Sequence, residues 1–158
     1  MVRERNRILG IMSVNDELTG LLNLRGFTEE AKKFCHEEQE QRTYLICGDL
    51  DHLKEINDNW GHPAGNFALR SVAEILRGCI RSDDVLARVG GDEFLILLKC
   101  TEEGYQETFR KRVKDACTYF NEKSDKPFLV EISLGIAEFC SGPQTDIQQV
   151  IATADQFL

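Results

Sequence analysis

The chain has 158 residues and a formal net charge of −8 at neutral pH, because 27 acidic residues outnumber 19 basic ones. This length suits one compact domain. The negative charge disfavours a nucleic acid or an anionic membrane as the main partner. It permits a nucleotide that binds through cations. No stretch approaches the roughly 18 consecutive apolar residues of a membrane span. The six cysteines include no C-x-x-C pair, which indicates reduced thiols in the cytoplasm rather than zinc ligands or disulfides.

Hydrophobic periodicity and turn residues predict six helices and four strands. In chain order, the helices are predicted over residues 1–12, 25–41, 53–60, 65–79, 105–121 and 146–158, and the strands over residues 43–49, 84–89, 93–98 and 128–139. We interpret residues 1–13 as a helix that connects to an upstream module, and residues 14–158 as one domain. This order is typical of an α+β (mixed α/β) fold in which helices cover a central sheet.

Two acidic residues, Asp49 and Asp51, lie at the end of the first predicted strand. Period-two geometry predicts that they share one side of the strand, with the Leu50 backbone carbonyl between them. Magnesium prefers oxygen ligands of this kind and completes its coordination with substrate phosphates. By itself, however, so short a motif is more often a pair of solvated acids.

A second acidic motif, Gly90-Gly91-Asp92-Glu93-Phe94, joins two predicted strands. Its consecutive glycines predict a hairpin turn with positive φ at both turn positions. The adjacent carboxylates repel each other unless solvent or a cation relieves the repulsion. If this hairpin lies beside the end of the strand that carries Asp49, three carboxylates converge, and such a cluster can hold two metal ions for phosphoryl displacement. A surface turn is the alternative interpretation of the hairpin motif.

The residues from Arg88 to Phe94, read as R-V-G-G-D-E-F, resemble the signature of GGDEF domains, the domains of diguanylate cyclases. Further segments resemble the same family in the same order: residues 16–27 (its D-x-L-T-G-L-x-N-x-R-x-F motif), 49–65, 133–137 and 154–155. The resemblance covers about residues 14–158. An ordered series of this kind is far more specific than a five-letter signature.

The resemblance implies a central, mainly antiparallel sheet wrapped by helices, similar to nucleotidyl cyclase and polymerase palm domains. It implies a nucleotidyltransferase in which the 3′-hydroxyl of one GTP attacks the α-phosphate of another, twice, so that pyrophosphate is lost and cyclic di-GMP forms. Each active site of this family is shared by two facing domains, so the resemblance implies a catalytic homodimer. It also implies an upstream sensor domain and a cytoplasmic location, with a membrane tether of the full-length protein left open.

The resemblance assigns the metal site. Asp49, the Leu50 carbonyl, Asp92 and Glu93 would hold two Mg²⁺ ions, with Mn²⁺ as an alternative. Asp92 also matches the position often assigned as proton acceptor, but a metal-bound hydroxyl can lose its proton without a tuned base, so we rank the metal role first. Lys54 would neutralise phosphate charge in the transition state.

The substrate-binding residues implied by the resemblance are Asn57, His62, Asn66, Gly90 and Gly91. Asn57 would hydrogen-bond the edge of the guanine base.

Asn66 departs from the family, which usually has aspartate at this position. The aspartate carboxylate accepts hydrogen bonds from guanine N1–H and the 2-amino group. An amide offers one acceptor and an NH₂ donor, a pattern that pairs with adenine in both places. We hypothesise that Asn66 relaxes the preference for GTP; the alternative is that its oxygen and a bridging water still serve guanine.

Arg81 and Asp84 fit the R-x-x-D motif that, in the family, binds cyclic di-GMP as an inhibitor. An arginine can bind a phosphate or a guanine edge through two hydrogen bonds. Arg112, on the helix predicted over residues 105–121, matches a position that can add a second arginine. The alternative interpretation of Arg81 and Asp84 is an ordinary salt bridge at a helix end.

The sequence is compatible with three functions. The first is an active cyclase with product inhibition. The second is a GGDEF domain of weak or no activity that acts as a receptor for cyclic di-GMP or GTP, and the third is a structural dimerisation domain. The sequence stops within the predicted last helix, where the family continues with a lysine and an arginine that contact the phosphates, and we therefore expect weak turnover from this chain.

Overall fold

The computed structural model describes residues 13–37, 40–99 and 102–158, so the helix predicted over residues 1–12 lies outside the described part. The described helices are α1 (Leu24–Glu37), α2 (Leu53–Trp60), α3 (His62–Cys79), α4 (Tyr105–Lys123) and α5 (Ile147–Asp155). The described strands are β1 (Arg42–Leu50), β2 (Val85–Arg88), β3 (Glu93–Leu98) and β4 (Ile132–Cys140). None of the described helices is both long and apolar enough to cross a membrane.

The four strands form one sheet in the order β2-β3-β1-β4, and every neighbouring pair is antiparallel. Successive side chains of β1 point to opposite faces, as period-two geometry requires. Tyr44 and Ile46 pack in the core beneath α3 and α4, whereas Leu45 and Cys47 pack in the core beneath α1 and α5. The predicted α+β fold, with helices covering an antiparallel sheet, is confirmed.

The register of β1 positions the candidate site at one end of the sheet. Asp49 lies opposite Glu93 on β3 and opposite Ser133 on β4. Just beyond, the Leu50 N–H donates to the Asp92 carbonyl at 3.0 Å. The β2–β3 hairpin therefore lies beside the end of β1, which is the arrangement that the convergence of three carboxylates requires.

The hairpin itself is confirmed, but its predicted turn is wrong. Neither Gly90 nor Gly91 has φ in the left-handed region. The connection is longer than two residues, because the Val89 N–H donates to the Glu93 carbonyl and closes a loop around residues 90–92. A Cβ on Gly90 would lie 3.3 Å from the Glu93 carboxylate, so this glycine serves close approach rather than unusual φ.

Two element boundaries also differ from the prediction. Helix α3 begins at His62 rather than residue 65, since Gly61 turns the chain at φ 88° and Pro63 suits the first helical turn. Strand β4 begins at Ile132 rather than residue 128, because the Asn121 side chain bonds both the N–H and the carbonyl of Val130 at 2.9 Å. The backbone there is satisfied by a side chain instead of a strand ladder.

Helix α5 lies directly against β4 at Gly135. Asp146 caps the helix by accepting bonds from the N–H groups of Gln148 and Gln149. A Cβ on Gly135 would overlap the Ala154 carbonyl oxygen and lie 2.8 Å from the Leu158 nitrogen. Because these are backbone atoms, a side chain at this position could be accommodated only by moving the end of the helix.

We predict that Gly135→Ala lowers the free energy of unfolding by about 1–3 kcal/mol, the usual cost of overpacking a core. Urea denaturation measures this change. Gly78→Ala on α3 is the matched control, since no atom lies within 4 Å of its added methyl group, and it should leave stability unchanged or slightly higher. Equal stability of the two variants would contradict the close packing of α5 on β4.

Candidate active site

Three carboxylates meet at the end of the sheet. Asp49, Asp92 and Glu93 each offer an oxygen atom, and these oxygens lie within 4.8 Å of one another. We call these three residues the carboxylate cluster. Asp49 and Glu93 reach it as opposite partners in the β1–β3 ladder, and Asp92 reaches it from the hairpin loop. The convergence expected from the two sequence motifs is present.

The electrostatics of the cluster favour a cation. Burial, followed by the neighbouring charges of Asp92 and Glu93, raises the pKa of Asp49 to about 6. Among the described side chains, only Asp49 Oδ1 and Asn57 Oδ1 are buried oxygens or nitrogens without a hydrogen-bond partner. A buried carboxylate oxygen without a donor is costly, and a divalent ion would remove both this cost and the mutual repulsion.

The donor set fits magnesium. All three side chains offer hard carboxylate oxygens, and Mg²⁺ in proteins usually binds through a few carboxylates together with waters and substrate phosphates. The described residues contain no second group of three candidate metal ligands. The cluster can therefore hold divalent ions and, through them, a triphosphate.

Asp51, which the D-L-D spacing predicts on the same side as Asp49, is not a member of the carboxylate cluster. Strand β1 ends at Leu50, and Asp51 lies in the turn that follows. Its carboxylate accepts a bond from the Ser133 hydroxyl at 2.6 Å, and its N–H donates to the Glu131 carbonyl. Because Ser133 is the cross-strand partner of Asp49, this bond keeps Asp51 close to Asp49.

An arginine holds the hairpin loop in place, a role that the sequence reasoning did not assign. The Arg88 guanidinium donates to the Gly91 carbonyl at 2.9 Å and to Asp16 Oδ1 at 2.9 Å. The other oxygen of Asp16 accepts bonds from the N–H and hydroxyl of Thr19. We call this set of contacts the Arg88 bridge. Asp16 and Arg88 both belong to the quoted family motifs, and this membership is the feature of the sequence that could have predicted their contact.

Burial and ion pairing act in opposite directions on Asp16. Desolvation raises its pKa, but the bonds from Thr19 and the charge of Arg88 outweigh it, so the pKa lies below its usual value. Both side chains of the ion pair are less than a fifth exposed. An ion pair so protected from solvent fixes geometry strongly, because loss of one partner leaves an uncompensated charge.

Asp155 is a second residue that the sequence reasoning left without a role. It lines a cavity of about 310 Å³ between α5 and the sheet, together with Asp49 and Glu93. Its charge also contributes to the raised pKa of Asp49. Helix α5 thus adds a fourth negative charge near the carboxylate cluster.

Most residues assigned to the nucleotide lie on the two helices that follow β1, whereas Gly90 and Gly91 lie in the hairpin loop. Lys54 is exposed in the first turn of α2, and His62 is exposed at the start of α3. Asn57 on α2 and Asn66 on α3 are half-buried. The Asn57 side chain contacts Gly65, the residue before Asn66, so the structure brings the two amides to neighbouring positions.

The residues of the predicted inhibitory site also come together. Arg81, Asp84 and Arg112 line one narrow recess with Tyr105. Both oxygens of Asp84 accept backbone N–H bonds, from Arg81 at 2.9 Å and Lys99 at 3.0 Å, so this carboxylate fixes the turn before β2. The recess brings two arginines to one place, and their binding role stays a prediction.

The antiparallel sheet, its helices and the acidic end of its central strands define the class of nucleotidyl cyclase and polymerase palm folds. A family model described as "Diguanylate cyclase, GGDEF domain" matches residues 13–158. The chain belongs to the GGDEF domain family.

Known relatives agree with this assignment. The chain is 34% identical over 137 residues to the probable diguanylate cyclase DgcC of Escherichia coli, covering 85% of the chain and 37% of DgcC. It is 35% identical over 150 residues to the diguanylate cyclase DgcP of Pseudomonas aeruginosa, covering 92% of the chain and 22% of DgcP. The chain thus spans well under half of these relatives.

A solved structure gives the same result. The crystal structure of the GGDEF domain of DgcB from Caulobacter crescentus, in complex with c-di-GMP, superimposes with a TM-score of 0.75 at 25% identity. The match covers 91% of this chain and 86% of that one. The palm fold predicted from the sequence is therefore shared with solved GGDEF domains.

The raised pKa of Asp49 predicts a pH dependence of stability in the absence of divalent ions. The folded state binds the Asp49 proton more tightly than the unfolded state, whose pKa is near 3.8. This contribution to the free energy of unfolding is fully present below that value and is lost as the pH rises through about 6. Asp49→Asn should therefore stabilise the metal-free protein at pH 8, and the gain should shrink towards pH 4.

Chemical denaturation of the two proteins across pH, in EDTA, measures this difference. Mg²⁺ should then raise the melting temperature of the wild-type chain more at pH 8 than at pH 5, since protonated Asp49 is a poor ligand. A stability difference that does not change with pH would contradict the electrostatic account of the cluster.

Proposed function

We propose that this domain is a diguanylate cyclase that converts two GTP molecules into cyclic di-GMP and two pyrophosphates. The observation that carries the proposal is the carboxylate cluster, with its buried Asp49 oxygen that lacks a hydrogen-bond partner. Family membership and the similarity to proteins named diguanylate cyclase support the same reaction. The intact cluster argues against a purely structural domain.

The chemistry is a displacement at phosphorus. The 3′-oxygen of one GTP forms a bond to the α-phosphorus of the other, the bond from that phosphorus to the bridging oxygen breaks, and pyrophosphate leaves with the electron pair. The 3′-hydroxyl proton is released. Repeating the step with the roles exchanged closes the ring. Bound divalent ions supply Lewis-acid activation of the attacking hydroxyl and charge neutralisation at the phosphates.

The residues of the chain divide this work between them. Asp49, Asp92 and Glu93 would hold the metal ions, with the Leu50 carbonyl as a further ligand. The Arg88 bridge fixes the loop that carries Asp92, so the ligands are ordered before the substrate arrives. Lys54, exposed on α2, is free of any resolved ion pair within the described residues and can approach a phosphate.

The reaction requires two copies of the domain. One cluster lies at one end of one sheet, and each of the two GTP molecules needs its own phosphate-binding site while its 3′-hydroxyl faces the other. We therefore propose a homodimer in which two clusters face each other. An upstream domain of the full-length protein would control this encounter.

Incubation with GTP and Mg²⁺, followed by chromatography and mass spectrometry of the products, tests the proposal. Asp92→Asn and Glu93→Gln should each reduce cyclic di-GMP formation by at least about 100-fold, because even residues behind a metal ligand contribute roughly 10–100-fold. Asp115→Asn, an exposed acid paired with Lys111 on α4, is the control and should retain activity. Formation of product by the Asp92 and Glu93 variants at the wild-type rate would refute the assignment.

The second candidate function is a receptor for cyclic di-GMP, favoured by the recess that Arg81, Asp84 and Arg112 share. In an active enzyme the same recess would serve product inhibition. Calorimetry with cyclic di-GMP separates the two functions when it is combined with the turnover assay. Binding without turnover under any metal condition selects the receptor.

Asn66 bears on the choice of purine. Its amide presents a donor where a carboxylate would present an acceptor, and adenine offers a donor–acceptor edge that suits an amide. We therefore propose relaxed selectivity, with mixed cyclic dinucleotides as by-products. Asn66→Asp should increase the ratio of kcat/KM for GTP to that for ATP by about tenfold, the value of one good hydrogen bond. An equally strong GTP preference in both proteins would reject this proposal.

A further inference from the structure

The Asn57 side chain has an unusual environment. Its amide oxygen is buried and accepts no hydrogen bond, a property shared among the described side chains only with Asp49 of the carboxylate cluster. The residue lies in the last turn of α2, which ends at Trp60, and the chain reverses at Gly61 into α3. The Asn57 carbonyl accepts the Gly61 N–H at 2.8 Å, so the backbone of this residue is part of the reversal.

The amide oxygen is directed at Gly65, in the first turn of α3. A Cβ built on Gly65 would overlap Asn57 Oδ1, lie 2.8 Å from Asn57 Cγ and lie 3.2 Å from Leu53 Cδ1. The absence of a side chain on Gly65 is therefore what permits the Asn57 amide to lie across the start of α3. Leu53 closes the space on the other side.

This packing places the Asn57 amide across the start of α3, with its oxygen towards Gly65. An amide group carries its oxygen and its NH₂ group on opposite sides of Cγ. Since the oxygen faces Gly65, the NH₂ group faces away from α3, and Asn57 Nδ2 is not among the buried unpartnered atoms of the described chain. The side chain thus offers a donor, which suits the acceptors O6 and N7 of guanine.

We infer that Gly65 is a positioning residue for purine recognition: by lacking a Cβ it leaves the space in which the Asn57 amide lies with its oxygen towards Gly65 and its NH₂ group towards the base. The inference rests on the proposed function, because it assigns the base to the neighbourhood of Asn57. Gly65 does not touch the nucleotide and acts only through Asn57. Asn66, the next residue, reads the base independently.

We expect the protein to remain folded when alanine replaces Gly65. The atoms that a methyl group on Gly65 would meet belong to the ends of two side chains, Asn57 and Leu53, which can rotate, whereas at Gly26 a Cβ would lie 2.5 Å from a backbone oxygen. Gly65→Ala should therefore displace Asn57 and leave the α2–α3 reversal intact. Gly78→Ala, in the same helix with open space around it, is the matched control.

The experiment measures binding of 3′-deoxy-GTP, which lacks the attacking hydroxyl, in the presence of Mg²⁺ by calorimetry. Gly65→Ala and Asn57→Ala should each raise Kd about tenfold, as expected for one lost hydrogen bond. The double variant should also show about a tenfold loss rather than the roughly 100-fold loss of independent sites. Gly78→Ala should bind as the wild type does. Wild-type affinity in Gly65→Ala, or additive losses in the double variant, would overturn the inference.

A second readout, without nucleotide, separates this inference from the proposed function. Melting temperatures of the same variants should show a small decrease for Gly65→Ala that is recovered in Gly65→Ala/Asn57→Ala, because alanine at position 57 removes the colliding amide. If the wild-type chain binds no 3′-deoxy-GTP, the proposed function fails, and recovery in the double variant still supports the contact between Gly65 and Asn57. An absence of recovery overturns the positioning role in either case.

Discussion

The pairing of β1 with β3 places like charges next to each other, and the candidate active site depends on this pairing. Asp49 and Glu93 are opposite partners in this ladder, and the bond from the Leu50 N–H to the Asp92 carbonyl brings the third carboxylate to the same place. The hydrogen bonds and the buried apolar side chains of the two central strands supply the free energy that outweighs the repulsion. Burial, followed by the charges of the neighbouring carboxylates, raises the pKa of Asp49. A cation bound between these carboxylates would relieve their repulsion.

The Arg88 bridge extends this constraint to the beginning of the domain. Residues 16–19 form a turn whose carboxylate and hydroxyl groups are used internally, and Arg88 connects that turn to the hairpin loop. The loop that carries Asp92 is thereby fixed by a segment about 70 positions away in the chain. Arg88 thus couples the geometry of the carboxylate cluster to residues that precede the sheet.

In the proposed mechanism, the residues that recognise the base are structurally separate from those that act at the phosphates. The carboxylate cluster belongs to the sheet, whereas Asn57, Gly65 and Asn66 belong to the reversal between α2 and α3. Under this proposal, changes in that reversal would alter the preferred purine without disturbing the carboxylate cluster. The combination of an intact acidic cluster with an amide at position 66 is an instance of this independence.

The sequence by itself determined the order of the helices and strands, the α+β class, the family, and the identity of the acidic residues, since each depends on local periodicity or on an ordered series of motifs. Tertiary structure decided where those residues point. Asp51 was predicted beside Asp49, but its carboxylate bonds to the Ser133 hydroxyl and stays outside the carboxylate cluster. The start of β4, the conformation of Gly90 and Gly91, the Arg88 bridge and the contact of Asn57 with Gly65 all depend on partners distant in the chain or across a turn. Local patterns carry no information about such partners, so only the folded chain could reveal them.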